Sequence, residues 1–365
     1  MKQVPKYKKI VHWTLEQLVS GSIIPGDKFS SENALCQQFN VSRQTVRRAL
    51  EELESNGYIT RIKGSGTYIS KSPPHNSTQV KSKGDSSKSI GIITTYLDAY
   101  IFPSIMQAIE SELSQEGYTV QVASTHNTVE GERRALQSML DNRLDGLIVW
   151  PTKSGLPCLN LQYYAQLINK GLPIIFVDSF YPELSGTYVA IDDISVGRLA
   201  TSHLIQSGHK KILGIFPHGD RQGQLRYKGY CMAMNEAGIP LIDTHVHWYS
   251  KEDVEEELSR KSLWQNIAGS TAAFCFNDSL ALMLMDQLDQ RDIFVPTAFS
   301  VIGVDNTMMG KRSGLTSIVH PSEELGHTVA HQLISMIEGN ETQNVLFPPK
   351  LIQRKTVRQF SQNKS

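Results

Sequence analysis

The sequence predicts a small α+β head at the N-terminus, followed by a larger α/β body built on parallel sheets. Two observations carry this prediction. The first 70 residues hold a basic helix and a glycine-tipped hairpin, and apolar runs alternate with amphipathic stretches after Ser89. A length of 365 residues is enough for two or three domains with sizeable cores. We expect a head at 1–70, a flexible Ser-, Lys- and Pro-rich linker at 71–88 and a two-lobed domain at 89–365.

The charge of the chain is unevenly distributed, although 36 basic residues balance 36 acidic ones overall. Residues 1–88 carry 14 Lys and Arg against 7 Asp and Glu, and the remainder carries 22 against 29. A basic head on an acidic body indicates that only the head meets a polyanion. The acidic body would disfavour non-specific wrapping by nucleic acid.

Several classes of protein are disfavoured by composition. The four cysteines are far apart and form no CxxC pair, so we expect neither a metal site nor a redox site. The N-terminal residues MKQVPKYKKIVHW lack the apolar core of a signal peptide. No run approaches the roughly 18 apolar residues of a membrane span. We therefore expect a cytoplasmic protein without a cofactor.

The stretch 41-VSRQTVRRALEELESNGYI-59 predicts a helix with an unfavourable order of charges. Three arginines lie in its first half and three glutamates in its second half, whereas the helix dipole favours the opposite order. Ser42 is a good N-cap, and a stripe of apolar residues forms the buried face (Val46, Ala49, Leu50 and Leu53). Cations at the front of such a helix are favoured if they face DNA, with the glutamates on the solvent side.

The rest of the head completes a winged helix-turn-helix. Apolar residues at helical spacing predict a first helix over 6–20, and a short helix begins near Glu32. After the third helix, 58-YITRIKGSGTYI-69 predicts a two-stranded hairpin. Its Gly-Ser-Gly tip allows close approach of the backbone to phosphates or to the minor groove.

The head, from PGDKFSSENALCQQFNVS to GSGTYIS, resembles the GntR family of bacterial regulators. The similarity includes the SR-x-TVR-x-AL core and the glycine wing. It implies that the helix beginning at Arg43 enters the major groove of a palindromic operator, read by a homodimer. The residues expected to contact double-stranded DNA are Lys6, Glu32, Ser42, Arg43, Gln44, Thr45, Arg47, Lys63, Gly64 and Gly66.

The body alternates short apolar runs with helical segments, which is typical of parallel sheets covered on both faces. Strands are predicted at 90–95, 118–124, 145–150, 173–178, 211–216, 271–276 and 299–305. These are too many βα units for one ordinary sheet, so we infer two lobes. We expect the hinge near 178–182 and again after Asp305.

The body resembles the effector domain of LacI/GalR regulators, which shares its fold with periplasmic binding proteins. The similarity lies in RLATSHLIQSGHKKILGIF, RYKGYCMAMNEAG, NDSLAL and VIGVDN. Ligands of such folds bind at the carboxyl ends of the strands, between the lobes. The expected effector-binding residues are Tyr96, Phe102, Lys153, Arg226, Asn277, Asp278 and Asp305. For the two aspartates a helix N-cap remains an alternative, and for Phe102 a place in the core.

A GntR-type head on this body resembles the arabinose-responsive repressors of Gram-positive bacteria, in TTYLDAYIFPSIMQAIE and WPTKS. That resemblance implies L-arabinose as inducer. The polar linker lacks the hinge helix of ordinary LacI-type proteins. Two alternatives stay open: a DNA-binding regulator with a sugar phosphate or purine as inducer or corepressor, and a solute-binding protein without a DNA role. The basic head opposes the second.

Motifs for enzymatic chemistry are weak. The sequence contains no GxGxxG, P-loop or GxSxG motif. The pair His327 and His331 has the spacing of a helical metal site, but HTVAH lacks the glutamate of a zinc protease. We expect a regulator and not an enzyme.

Overall fold

The computed structural model describes residues 6–19, 23–24, 26–55, 57–62, 65–70, 87–97, 101–184 and 186–360. The described residues fall into two compact units, one formed by the head up to Ser70 and the other by almost all of the described residues after it. Among the described residues, no helix combines the length and the apolar character that crossing a membrane requires.

The head contains three helices and a hairpin, as predicted. Its elements are α1 (Lys6–Val19), α2 (Glu32–Phe39), α3 (Arg43–Ser55), β1 (Ile59–Ile62) and β2 (Gly66–Ile69), the two strands being antiparallel. The apolar stripe of α3 is confirmed, because Val46, Ala49, Leu50 and Leu53 are all buried. They pack with Ile10 of α1 and Leu35 of α2, which fixes the direction of α3.

The first lobe of the body is a six-stranded sheet with helices on both faces. Its elements are β3 (Ser89–Thr94), α4 (Phe102–Gln115), β4 (Thr119–Ser124), α5 (Val129–Asp141), β5 (Gly146–Val149), α6 (Leu161–Asn169), β6 (Ile174–Val177) and β7 (Thr187–Ile191). A later strand, β13 (Val345–Phe347), joins the edge beside β7. The strand order is β13-β7-β6-β5-β3-β4, and every neighbouring pair is parallel.

The second lobe repeats the design with order β14-β12-β11-β10-β8-β9. Its elements are α7 (Asp193–Gln206), β8 (Ile212–Pro217), α8 (Arg221–Glu236), β9 (Val246–Tyr249), α9 (Val254–Ser259), α10 (Lys261–Ala268), β10 (Ala272–Cys275), α11 (Asp278–Asp289), β11 (Ser300–Asp305), α12 (Met308–Arg312), β12 (Thr316–Val319) and β14 (Lys350–Ile352). One further helix, α13 (Ser322–Ile337), packs on the first lobe. Only the β12–β14 pair in this sheet is antiparallel among the described strands.

The seven predicted strands of the body are confirmed as β3, β4, β5, β6, β8, β10 and β11. Most of them are buried along their whole length, because helices cover both faces of each sheet. The parallel arrangement places the carboxyl ends of the strands of each lobe along one edge.

The predicted hinge positions are wrong. The segment at 178–182 leads from β6 to β7, which lies in the same sheet, and the chain after Asp305 continues into β12 of its own sheet. The chain instead changes lobe between β7 and α7 near Asp192, between β12 and α13 near His320, and between β13 and β14. The error arose because β7 and β12 were not recognised as strands.

Candidate nucleic-acid interface and effector cleft

The front of α3 presents two arginines to solvent. The side chains of Arg43 and Arg47 are 71% and 63% exposed. Both face Glu32 at the start of α2, with Arg43 Nε 2.9 Å and Arg47 Nε 3.9 Å from its two carboxylate oxygens. Ser42 acts as the predicted N-cap, since its hydroxyl accepts a hydrogen bond from the amide of Thr45 at 3.3 Å. Glu32 therefore orients the two cations that the charge order of α3 singled out.

A shallow depression surrounds this part of the head. It is lined by Lys6, Tyr7, Ser42, Gln44, Thr45, Arg47, Arg48 and Glu51. The guanidinium of Arg48 lies over the ring of Tyr7, 4.4 Å from its centroid. Five of the residues that we expected at DNA thus share one surface. Its guanidinium, ammonium, amide and hydroxyl groups are those that bind phosphates and base edges.

The described part of the wing is consistent with close approach of its backbone. Gly66 has φ +129°, in the region that favours glycine, and a Cβ there would lie 3.1 Å from Cε of Lys28. Lys28 reaches the wing from outside the hairpin, with Nζ 5.9 Å from the ring centroid of Tyr68. The sequence reasoning missed Lys28. Two expected DNA contacts, Lys63 and Gly64, lie outside the described residues.

The glutamates of α3 do more than face solvent, which corrects the expectation from sequence. Glu52 binds Lys8 of α1 at 2.7 Å. Glu54 accepts a hydrogen bond from the amide of Arg61 at 3.2 Å and forms an ion pair with the guanidinium of Arg61 at 3.3 Å. They tie α3 to α1 and to the hairpin. Two of the glutamates in the second half of α3 are thus paired with basic residues of the neighbouring elements, Lys8 and Arg61.

In the body, a buried network joins the two lobes near the second crossover. Asp178 directly follows β6 and accepts a hydrogen bond from the indole nitrogen of Trp150 at 2.9 Å. Its other oxygen lies 3.0 Å from Nε2 of His320, whose Nδ1 faces Ser322 at 2.8 Å. Burial opposes both charges, but their mutual attraction outweighs it, so the pKa of Asp178 is lowered and that of His320 is raised.

A second buried pair lies beside the first crossover. Arg226 is 2% exposed, and its Nε donates to Asp193 at 2.8 Å while its NH1 donates to the carbonyl of Phe276 at 2.6 Å. The guanidinium also lies 4.5 Å from the ring centroid of Phe276. Burial raises the pKa of Asp193 to about 6, with Arg226 pulling in the opposite direction. Arg226 thus lies between the end of β10 and the start of α7.

Two glycines allow this placement of Arg226. A Cβ on Gly197 of α7 would lie 2.0 Å from the carbonyl oxygen of Arg226, and one on Gly229 of α8 would lie 2.1 Å from that of Ile194. The backbones of α7 and α8 are therefore in contact. No larger residue fits at either position without separating the helices.

Tyr96 and Lys153 come together with three charged residues of the second lobe. Lys153 Nζ lies 2.5 Å from Oε1 of Glu252, and Lys251 forms an ion pair with Asp220. Burial raises the pKa of Tyr96, which lies close enough to Lys251, Glu252 and Asp220 to be influenced by their charges. Burial lowers the pKa of Lys251, but Asp220 outweighs it and the net shift is upward.

Asn277 and Asp278 have different structural roles, and Asp278 is not the N-cap that the sequence left open for it. Asn277 caps α11, accepting a hydrogen bond from the amide of Leu280 at 2.9 Å. Asp278 is fully buried and accepts hydrogen bonds from Ser317 Oγ (2.6 Å) and from the amide and hydroxyl of Thr307 (2.7 and 3.0 Å). Burial raises its pKa to about 6. The structure does not bring these two side chains to the group around Tyr96 and Lys153.

Asp305 and Phe102 have different surroundings. Asp305 ends β11 at φ +107°, a backbone conformation that residues other than glycine rarely adopt. Its carboxylate also contributes to raising the pKa of His320. Phe102 is buried in the core of the first lobe, in edge-to-face contact with Trp150 at 5.3 Å. Phe102 therefore reaches the cleft only through the Trp150 indole that binds Asp178.

The sequence reasoning missed several cleft residues (Trp150, Asp178, Asp193, Asp220, Lys251, Glu252 and His320). Asp178 ends a predicted strand just as Asp305 does, so the same rule selects it. Lys251 and Glu252 follow β9, which was not placed in the sheet. In the described residues, no cluster of three or more metal-binding side chains is positioned to hold an ion.

Two family models match the chain. Residues 6–69 match the model of bacterial regulatory proteins of the gntR family, and residues 201–357 match that of a periplasmic binding protein-like domain. The head and the second lobe therefore fit the resemblances drawn from sequence.

Similar proteins cover nearly the whole chain. The arabinose metabolism transcriptional repressor of Halalkalibacterium halodurans is 38% identical, over 96% of this chain and 96% of that protein. The protein of the same name from Geobacillus stearothermophilus is 35% identical, over 98% and 99%. Among solved structures, a periplasmic binding protein/LacI transcriptional regulator from Alkaliphilus metalliredigens, complexed with D-xylulofuranose, has a TM-score of 0.64 and 25% identity. It covers 74% of this chain and 99% of its own.

Proposed function

The chain belongs to the family of the arabinose metabolism transcriptional repressors, and from that membership we propose that it represses sugar-utilisation genes by binding an operator and is released by L-arabinose. One observation carries the proposal. A single chain joins a GntR-type head with two exposed, oriented arginines to a two-lobed body whose facing edges carry paired polar groups.

The head supplies distinct kinds of DNA contact in this proposal. Arg43, Arg47 and Gln44 read base edges in the major groove, since a guanidinium binds the O6 and N7 of guanine with two hydrogen bonds. Lys6, Ser42 and Thr45 bind phosphates, together with the wing at Lys63, Gly64 and Gly66. Glu32 orients the arginines in this proposal, and its own expected contact with DNA stays a prediction.

The cleft is suited to a neutral, hydroxyl-rich ligand. Among the described cleft residues, Arg226 faces Asp193, Lys251 faces Asp220 and Lys153 faces Glu252. Because each of these three cations lies next to a carboxylate, a phosphate group beside them would meet as much repulsion as attraction, whereas sugar hydroxyls both donate and accept. This favours a free sugar over a sugar phosphate.

We assign sugar contact to Arg226, Asp305, Lys153 and Tyr96, with the Phe102–Trp150 pair forming the apolar wall. Asn277 and Asp278 are expected from sequence in the same role. Here Asn277 is proposed to cap α11, and Asp278 to hold the segment after Asp305 through Thr307.

Release of DNA follows from differential affinity. A sugar shifts the balance between two forms only by the difference in its affinity for them, typically about 1–3 kcal/mol, or about 5- to 150-fold in DNA affinity. Two heads on one palindrome require a homodimer. The proposed compartment is the cytoplasm, and the proposed role is regulatory and not enzymatic.

The test uses the full chain and a labelled duplex from upstream of its own gene. Fluorescence anisotropy should show operator binding that weakens on titration with L-arabinose, while D-arabinose, D-xylose and glucose 6-phosphate have little effect. The control variant Asp305→Asn should bind the duplex equally well and respond weakly. Unchanged DNA affinity at millimolar L-arabinose would overturn the inducer assignment, and a response to a purine or sugar phosphate alone would favour the other effector class.

A further inference from the structure

The loop that follows β5 docks directly onto the second lobe. We call residues 152–156 the latch loop. Lys153 Nζ binds Glu252 at 2.5 Å, and the amide of Arg221 donates to Ser154 Oγ at 3.1 Å. The amide of Gly155 donates to the carbonyl of Gly219 at 3.0 Å, and the carbonyl of Gly155 accepts from Gln224 Nε2 at 3.0 Å.

The first lobe holds the latch loop from behind. The amide of Lys153 donates to Oδ1 of Asn127 at 3.0 Å, and the hydroxyls of Thr152 and Thr125 are 2.8 Å apart. The buried hydroxyl of Tyr181 lies 2.7 Å from the carbonyl oxygen of Thr152 and 2.6 Å from the carboxylate of Glu132. The first lobe alone therefore holds the conformation of the latch loop, independently of its contacts with the second lobe.

The backbone of the loop is strained at one position. Lys153 has φ +48°, in the left-handed region that costs a residue with a Cβ about 1–2 kcal/mol. Such a conformation persists only where the surroundings impose it, and it is common at functional sites. Here it turns Ser154 and Gly155 towards the second lobe.

Gly155 is needed for space and not for backbone conformation. It is absent from the glycines with positive φ, so alanine or valine is compatible with its backbone angles in that respect. A Cβ at this position would nevertheless lie 2.7 Å from Gln224 Nε2, 2.9 Å from the carbonyl oxygen of His218 and 3.0 Å from the carbonyl carbon of Asp220. Two of these three atoms are backbone of the facing loop. A side chain at 155 therefore obstructs docking without straining its own loop.

We propose that the latch loop holds the two lobes together through contacts of its own, with Gly155 as the residue that permits them, and that this docking sets the sugar concentration needed for DNA release. The second half of the proposal rests on the proposed function. The docking of the latch loop does not rest on the proposed function, because only one of its four contacts, the Lys153–Glu252 ion pair, uses a residue assigned to the sugar.

The first test measures docking in the full chain without sugar, by hydrogen exchange and mass spectrometry. In Gly155→Val, peptides covering 217–226 should exchange at least tenfold faster than in the parent chain, because the amide of Arg221 loses its acceptor. Peptides covering β5 and β8 should keep their protection, which shows that both lobes remain folded. Gly219→Ala is the matched control, since a Cβ there meets only Lys153 Cδ, at an ordinary 3.6 Å.

A milder variant guards against a misfolded loop. Ser154→Ala removes only the hydroxyl that accepts from Arg221, and it should accelerate exchange of the same peptide in the same direction. If both Gly155→Val and Ser154→Ala exchange like the parent chain, the latch loop does not hold the lobes and the proposal is wrong.

The second test measures release. In the anisotropy assay, Gly155→Val should bind operator like the parent chain without sugar but need at least tenfold more L-arabinose for half release. An unshifted midpoint would overturn the proposed control of the response. A parent chain that L-arabinose never releases would instead overturn the proposed function, while the exchange result still decides whether the lobes are latched.

Discussion

Replacing Glu32 by alanine should weaken operator binding and at the same time slightly strengthen binding to unrelated DNA. Glu32 lies 2.9 Å from Arg43 Nε and 3.9 Å from Arg47 Nε, so one carboxylate restrains both exposed arginines. Without it, each guanidinium must lose its rotamer freedom on binding. The same change removes a negative charge near the phosphates, which favours every duplex equally.

The magnitudes separate these effects. An exposed ion pair contributes at most about 1 kcal/mol to folding, so the thermal midpoint of the head should fall by only a few degrees. A well-placed arginine contributes about 1–3 kcal/mol of discrimination at one guanine. Loss of orientation at two arginines should therefore cost about 1–2 kcal/mol of operator affinity, or about 5- to 30-fold.

The assay is a fluorescence anisotropy titration on an operator duplex and on a scrambled duplex at one salt concentration. It gives the ratio of the affinity for the operator to the affinity for the scrambled duplex. Glu51→Ala is the matched control, because Glu51 is an exposed acid lining the same depression on α3. Glu32→Ala should lower the ratio of operator to scrambled affinity, and Glu51→Ala should leave it unchanged. Equal changes on both duplexes, or equal behaviour of the two variants, would refute an orienting role for Glu32.

Three further predictions address the head and the buried charges. Arg47→Ala should cost about 1–3 kcal/mol of discrimination against a duplex with one guanine replaced, whereas uniform weakening on all duplexes would make it a phosphate contact. Arg226→Met leaves Asp193 buried without its cation and should lower the free energy of unfolding in urea by about 3 kcal/mol; an unchanged midpoint would mean that the pair is not buried in solution. Asp278→Asn tests the pKa of Asp278, which burial raises to about 6. A carboxyl with a raised pKa binds its proton more tightly in the folded state than in the unfolded state. Its contribution to the free energy of unfolding is therefore present at pH 4 and is lost as the pH rises through 6. The stability of the parent chain relative to Asp278→Asn should fall over that interval, and a constant difference would contradict the assignment.

The head was predictable because its signals are local. The N-cap at Ser42, the apolar stripe of α3 and the glycine wing each depend on residues a few positions apart. The ion pairs of Glu52 and Glu54 were not predictable, since they depend on how α1 and the hairpin pack against α3. Lys28 was missed for the same reason: its side chain meets the wing only after folding.

In the body, the buried strands were predictable, while the crossovers and half of the cleft were not. A continuous apolar run marks a strand covered on both faces, but β7 begins with the half-exposed pair Thr187–Tyr188 and β12 begins with the polar pair Thr316–Ser317. Without those strands, Asp193 and His320 cannot be placed at the crossovers. The rule that polar residues at strand ends face the cleft selects Asp305 and Asp278 alike. No sequence pattern reveals that Asp278 instead receives hydrogen bonds from Ser317 and Thr307.

The ion pairs between the lobes are either buried or partly exposed, and this difference in burial determines how much free energy is needed to move the lobes apart. At the crossovers, Arg226–Asp193 and His320–Asp178 are buried, and breaking such a pair leaves an uncompensated charge at a cost of about 3–5 kcal/mol. Away from the crossovers, Lys153 and Glu252 keep 25% and 44% of their side-chain exposure, and separating them in water costs at most about 1 kcal/mol. The lobes are thus expected to pivot about pairs that stay intact while the latch loop opens and closes cheaply. Under that arrangement, a differential sugar affinity of about 1–3 kcal/mol is large enough to decide which form the protein adopts.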